Sequence, residues 1–75
     1  MSVISIIIKD MKGNTRDLKV SDSDTIFEGK KKISEEKNMW KFDGKVLSDQ
    51  NTFKFYEIED GDTIVSAPKV IGGLT

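Results

Sequence analysis

From Val3 to Ile8 the chain sets β-branched residues at every position but Ser5. An apolar run of that length and composition predicts a strand covered on much of both faces. Gly13-Asn14 can supply the positive φ of a tight return. Thr15 to Val20 then alternates, with Leu18 and Val20 on one face and Asp17 and Lys19 on the other, the pattern of a half-buried strand. The two strands make an N-terminal hairpin. Thr25 with Glu28 three residues on is a capping-box pair at the head of a helix, which is expected to run from Ile26 to about Lys37. Ile26 and Ile33 share one face of that helix. Gly29, one turn inside, lets it sit close to a sheet, at about 1 kcal/mol of lost propensity. Asn38 is the expected left-handed stop.

Beyond the helix, Met39-Trp40-Lys41-Phe42 reads as a short strand with Trp40 and Phe42 on one side, and core packing is the expected role of Trp40. Asp43-Gly44 is a turn dipeptide, and Lys45-Val46-Leu47 returns as a strand. Ser48 to Asn51 is loop. Thr52 to Ile58 is compatible with a strand or with a single helical turn. Asp60-Gly61-Asp62 is a turn, and Thr63 to Ala67 a last strand stopped by Pro68, which cannot donate to a ladder. The order is ββαββ, a short turn, then β, with no internal repeat.

Composition narrows the function. The 75 residues suffice for one domain and a modest core. Twelve basic and 13 acidic residues give a net charge of -1, with no general attraction to phosphate backbones or anionic membranes. The triplet Lys30-Lys31-Lys32 spreads around the helix and makes no single basic face. There is no cysteine and no histidine, so the best nucleophile, the commonest general base and the usual zinc ligands are all missing. The carboxylates Asp22, Asp24, Glu35 and Glu36 are expected in capping or solvated positions. The N-terminal residues lack the features of a signal peptide, and the first apolar run is too short to cross a bilayer. The expectation is an intracellular protein, cytoplasmic or nuclear, monomeric, without enzyme activity, cofactor, metal, nucleic acid or membrane partner.

The element order is that of the β-grasp, an α+β fold in which a mixed sheet of four to five strands packs on one helix. Ile6-Ile7-Ile8-Lys9, Gly13-Asn14-Thr15, Leu18-Lys19-Val20 and Ser23-Asp24-Thr25-Ile26 closely resemble the opening half of ubiquitin-family sequences. Phe42-Asp43-Gly44-Lys45-Val46-Leu47-Ser48-Asp49, Thr52 to Ile58 and Gly61-Asp62-Thr63-Ile64 continue the resemblance in register, and Gly72-Gly73 falls where the family's modifiers end. The helix-to-strand connection is shorter here by about half a dozen residues and lacks paired prolines, an ordinary variation in a connector. The implied organisation is a domain over residues 1–71 and a Gly-Gly segment over 72–75 with Leu74-Thr75 as an extension.

The resemblance implies specific residues. Family modifiers are joined to target lysines through the carboxylate of the second glycine, here Gly73, after Gly72; glycine lets the backbone thread a narrow enzyme channel. The bland reading of the pair is a flexible linker. The apolar patch gripped by the family's receptors corresponds to Met11, Lys41 and Ala67, and Lys41 places an ammonium at its centre. Burying that charge unpaired costs several kcal/mol, so ordinary ubiquitin receptors are expected to bind weakly. Lys69 keeps a positive charge read by the activating enzyme, and Ile71 replaces a second basic residue. Lys45 stands where the main chain-linking lysine lies, with a solvated turn lysine as the alternative; Asp60 excludes another linkage. Implied partners are activating and conjugating enzymes, a processing protease and target proteins. The rivals are a non-conjugated interaction domain of a longer protein and a sulfur carrier of the same fold.

Overall fold

The structure is a computed structural model that describes residues 2–68. β1 (Val3–Lys9) and β2 (Thr15–Ser21) pair antiparallel from Val3 opposite Ser21 to Lys9 opposite Thr15. One carboxylate holds their turn together. Asp10 accepts from the backbone N–H of Lys12 at 2.8 Å, from that of Asn14 at 2.9 Å, and from Asn14 Nδ2 at 3.2 Å. The Asn14 amide is the main reason the Asp10 carboxyl titrates below its ordinary value. Gly13 supplies the left-handed residue at φ +90°.

β1 is covered more unevenly than its composition suggests. Ile4, Ile6 and Ile8 are buried, Ile7 is half-buried, and Val3 is 72% exposed. A single helix lies over one face only, so the β-branched residues of the other face stay partly in water.

The helix α1 (Ile26–Lys32) carries the expected capping box. Thr25 Oγ1 accepts from the Glu28 amide at 3.2 Å, and the Glu28 carboxylate accepts from the Thr25 amide at 2.9 Å. The helix does not reach Lys37. Ile33 is its C-cap and Ser34 adopts φ 56°, with the Ser34 amide donating to Lys31 and the Glu35 amide to Lys30. This pair of bonds is a Schellman closure, which satisfies the last carbonyls of the helix. Asn38 is therefore no helix stop; it opens the next strand, opposite Pro68.

β3 (Asn38–Phe42) and the short β4 (Lys45–Val46) form a second hairpin. Asp43 at φ 55° and Gly44 at φ 79° give the doubly left-handed turn that matches strand twist. The aromatic stretch resolves as a single 3₁₀ turn, Lys54–Tyr56. Phe53 before it and Ile58 after it are buried anchors. β5 (Thr63–Pro68) enters the middle of the sheet.

The five strands lie in the order β2-β1-β5-β3-β4, with β1 and β5 parallel and the other pairs antiparallel. Ile4, Ile6, Ile8, Leu18, Val20, Trp40 and Ile64 from the sheet meet Ile26 from the helix and Leu47, Phe53 and Ile58 from the connections in one cluster. Trp40 is fully buried in it. Gly29 faces this cluster: a Cβ there would stand 2.6 Å from Phe53 Cζ, so the glycine is required by close approach.

Candidate protein-interaction surface

Residues directly opposite in neighbouring strands share a face. Lys41 pairs with Val46 on β4 and Val65 on β5, and Val65 pairs with Lys9 on β1. Met39 pairs with Ala67. These residues occupy the sheet face opposite the helix. Val46 is 55% and Val65 37% exposed, Lys9 and Lys41 are exposed, and Met39 and Ala67 are half-buried. Met11 is 70% exposed in the β1–β2 turn and lines a shallow groove together with Ala67 and Pro68. The fold thus brings Met11, Lys41 and Ala67 to one continuous surface. Lys69, Gly72, Gly73 and the domain boundary after residue 71 lie outside the described residues.

Behind the rim of that groove sits a carboxylate that sequence reading leaves in a solvated position. Glu35 is half-buried and accepts from Trp40 Nε1 at 3.0 Å and from the Ser66 hydroxyl. Burial pushes its carboxyl up. The hydrogen bonds from Ser66, Trp40 and Asn38, aided by the Arg16 charge, outweigh burial and leave it below the ordinary value. The network explains both buried polar groups at this end of the sheet: Trp40 finds the partner that a buried indole N–H requires, and Ser66 fills a core-facing strand position without an orphaned hydroxyl. Nothing local marks Glu35 for this role, because its partners lie 5 and 31 residues away.

Lys30 is likewise not solvated. Its ammonium, 1% exposed, meets Asp49 at 2.7 Å and lies 5.9 Å from the Trp40 ring centroid. The Gly29 approach draws this side of the helix into the core, and Asp49 supplies the counter-charge that makes the burial tolerable. Lys31 and Lys32 are exposed.

Lys45 is exposed at the start of β4, beside a concavity formed with Phe42, Asp43, Phe55, Tyr56 and Glu57. Phe55 is 65% exposed and meets Tyr56 edge-on at 5.1 Å. Asp60, the position without a linkable amine, accepts from the Ser5 amide at 2.7 Å and ties the last turn to β1. Among the described residues no three His, Cys, Asp or Glu side chains group so as to hold a metal ion, and no helix is long and apolar enough to cross a membrane.

A five-stranded mixed sheet wrapped on one helix, with parallel first and last strands and an exposed face of mixed apolar and cationic character, defines a β-grasp protein of the ubiquitin-like class. The chain belongs to the ubiquitin family, whose sequence model matches residues 6–69. No curated protein matches the chain. Ubiquitin-like domains bind proteins and are generally modifiers or interaction folds.

Proposed function

We propose that this protein is a ubiquitin-like modifier, without enzyme activity of its own, that is processed after Gly73 and joined through the Gly73 carboxylate to lysines of target proteins. The observation that carries the reading is positional: the family match runs to Lys69, and Gly72-Gly73 follows it at the spacing at which the family's modifiers are activated. Processing hydrolyses the Gly73–Leu74 peptide bond. In activation the freed carboxylate attacks the α-phosphorus of ATP bound by the activating enzyme, forming an acyl adenylate and releasing pyrophosphate, and an enzyme cysteine thiol then displaces AMP to form a thioester. A lysine amine attacks the thioester, forming the isopeptide bond and returning the thiol. All the chemistry belongs to the enzymes; the chain contributes a body to be recognised and glycines that pass a narrow channel. In this reading the domain spans residues 1–71, the protein works inside the cell, and Lys45 is the acceptor for chain growth.

Intact-mass measurement on the protein recovered from its own cells tests the reading. Loss of Leu74-Thr75, with heavier adducts that vanish in Gly73→Ala, is the expected result. A species that keeps Leu74-Thr75 and forms no adducts overturns it and leaves the alternative, a non-conjugated interaction domain of a longer protein.

A further inference from the structure

β2 is the long free edge of the sheet, since β4 at the opposite edge is only Lys45–Val46. Along an edge strand the backbone groups of successive residues point alternately toward the sheet and away from it. Two bonds fix the phase here. The Asp10 amide donates to the Asn14 carbonyl at 2.9 Å, and the Asp22 amide to the Ser2 carbonyl at 2.8 Å. Asn14 and Asp22 therefore face β1, and Arg16, Leu18 and Val20 between them do the same. Thr15, Asp17, Lys19 and Ser21 present their N–H and C=O groups away from the sheet. The turn after β2 uses those of Ser21, whose amide donates to the Asp24 carboxylate at 3.0 Å and whose carbonyl accepts from the Asp24 amide at 2.9 Å. Asp17 and Lys19 remain at the open edge. Both are exposed, and neither is ion-paired among the described residues, whose ion pair is Lys30–Asp49.

An edge with free backbone groups accepts a further strand. A two-fold axis through β2 pairs this edge with itself, antiparallel, and the position of the axis sets which residues meet. With the axis at Asp17 two carboxylates stand directly opposite each other, and at Lys19 two ammoniums do; both arrangements are destabilising. With the axis at Arg16 or Val20, Asp17 meets Thr15 or Lys19 meets Ser21, and no charges are matched. With the axis at Leu18, Asp17 of each copy stands opposite Lys19 of the other. The outward-facing groups of the two residues then meet as well, so each pair exchanges both backbone hydrogen bonds. We infer that the chain associates with a second copy of itself through the β2 edges, about a two-fold axis at Leu18, so that two sheets run into one. The backbone supplies the contact, and the alternation of one acid and one base supplies the register and the choice of partner. The contact is small, so the dimer is weak and forms at high local concentration. From sequence alone a monomer is expected, because Asp17 and Lys19 read there as one solvated face. The dimer needs nothing of Gly73 and stands or falls apart from the modifier reading.

Sedimentation equilibrium of the purified chain at loadings up to about 1 mM is expected to follow a monomer–dimer equilibrium. Over the same range amide chemical-shift changes are expected to centre on Asp17 to Lys19, with slowed hydrogen exchange at the Asp17 and Lys19 amides. A charge swap tests the register. Asp17→Lys alone and Lys19→Asp alone set like charges opposite each other, and each is expected to weaken self-association about tenfold. Mixed one to one, the two variants are complementary, and the mixture is expected to regain the association of the wild type. The double variant Asp17→Lys/Lys19→Asp is expected to regain it by itself. Recovery requires folded chains, so misfolding cannot imitate it, and the wild-type concentration series stands whatever a variant does. A chain that stays monomeric at every loading, single variants that associate like wild type, a mixture no stronger than its components, or shifts centred on Met11, Lys41 and Ala67 would overturn it.

Discussion

Glu35 holds two buried polar groups in register, and its removal has calculable consequences. Truncation in Glu35→Ala leaves the Trp40 indole N–H and the Ser66 hydroxyl without their partner, a loss of about 1–3 kcal/mol measured by denaturant unfolding. Glu35→Gln retains an acceptor oxygen and is expected to cost less. The two forms also differ in acid. Because the folded state holds the Glu35 carboxyl below 4.5, the charge contributes stability in full above that value and loses it as pH falls through the lower folded value. The stability gap between wild type and Glu35→Gln is therefore expected to narrow as pH drops below 4.5. A gap independent of pH would mean that the carboxylate charge plays no part in the network. Lys30 belongs to the same scale. It was legible as one of three helix lysines, but not as the buried one, because the feature that buries it is an acid 19 residues away.

Among the elements, the hairpins, the capping box and the succession of elements along the chain were readable because each depends on local chemistry. Gly13 and the Asp43-Gly44 pair carry the backbone angles their turns need, and Thr25 and Glu28 satisfy each other within one turn. The end of the helix was not readable. Ile33 to Lys37 are acceptable helix formers, and the residue that closes the helix, Ser34, is neither of the residues that usually take the left-handed position. Just past that point Glu35 accepts from Trp40 and Ser66, partners distant from the helix in sequence or in fold that a local reading does not supply. Relieving the Ser34 backbone in Ser34→Gly is accordingly expected to stabilise the protein by about 0.5–1 kcal/mol, the αL strain of a non-glycine residue less the added unfolded-state entropy; thermal unfolding reads the change. Gly29→Ala has the opposite sign. It gains about 1 kcal/mol of helix propensity but drives a methyl against Phe53, which is fully buried and cannot swing away. A net loss of up to about 2 kcal/mol is expected, since overpacking of this kind costs about 1–3 kcal/mol. An unfolding midpoint at or above wild type in Gly29→Ala would show that the helix sits farther from Phe53 than described.

At the scale of the whole molecule, the β-grasp body separates what stabilises the protein from what partners can reach. The helix and the two connections close one face of the sheet around Trp40, and the other face keeps Lys9, Lys41, Val46 and Val65 in water. Sequence pattern placed Met11, Lys41 and Ala67 together only through the family resemblance; in the structure Lys41 and Ala67 lie on the adjacent strands β3 and β5, and Met11 lines a groove with Ala67 from the β1–β2 turn. The additional members of the face, Lys9, Val46 and Val65, had no assigned side in the sequence reading, and the pairings of β5 with β1 and of β3 with β4 and β5 bring them together. The central claim, that the chain leaves its Gly73 carboxylate on other proteins, is open to one direct measurement. Trypsin cuts after Lys69, so a target lysine conjugated through Gly73 retains a Val-Ile-Gly-Gly branch after digestion. Peptide mass spectrometry of cells expressing the chain is expected to find lysines bearing that branch, and to lose every one of them in cells expressing Gly73→Ala. Abundant unconjugated chain with no Val-Ile-Gly-Gly lysine in either sample would contradict the claim.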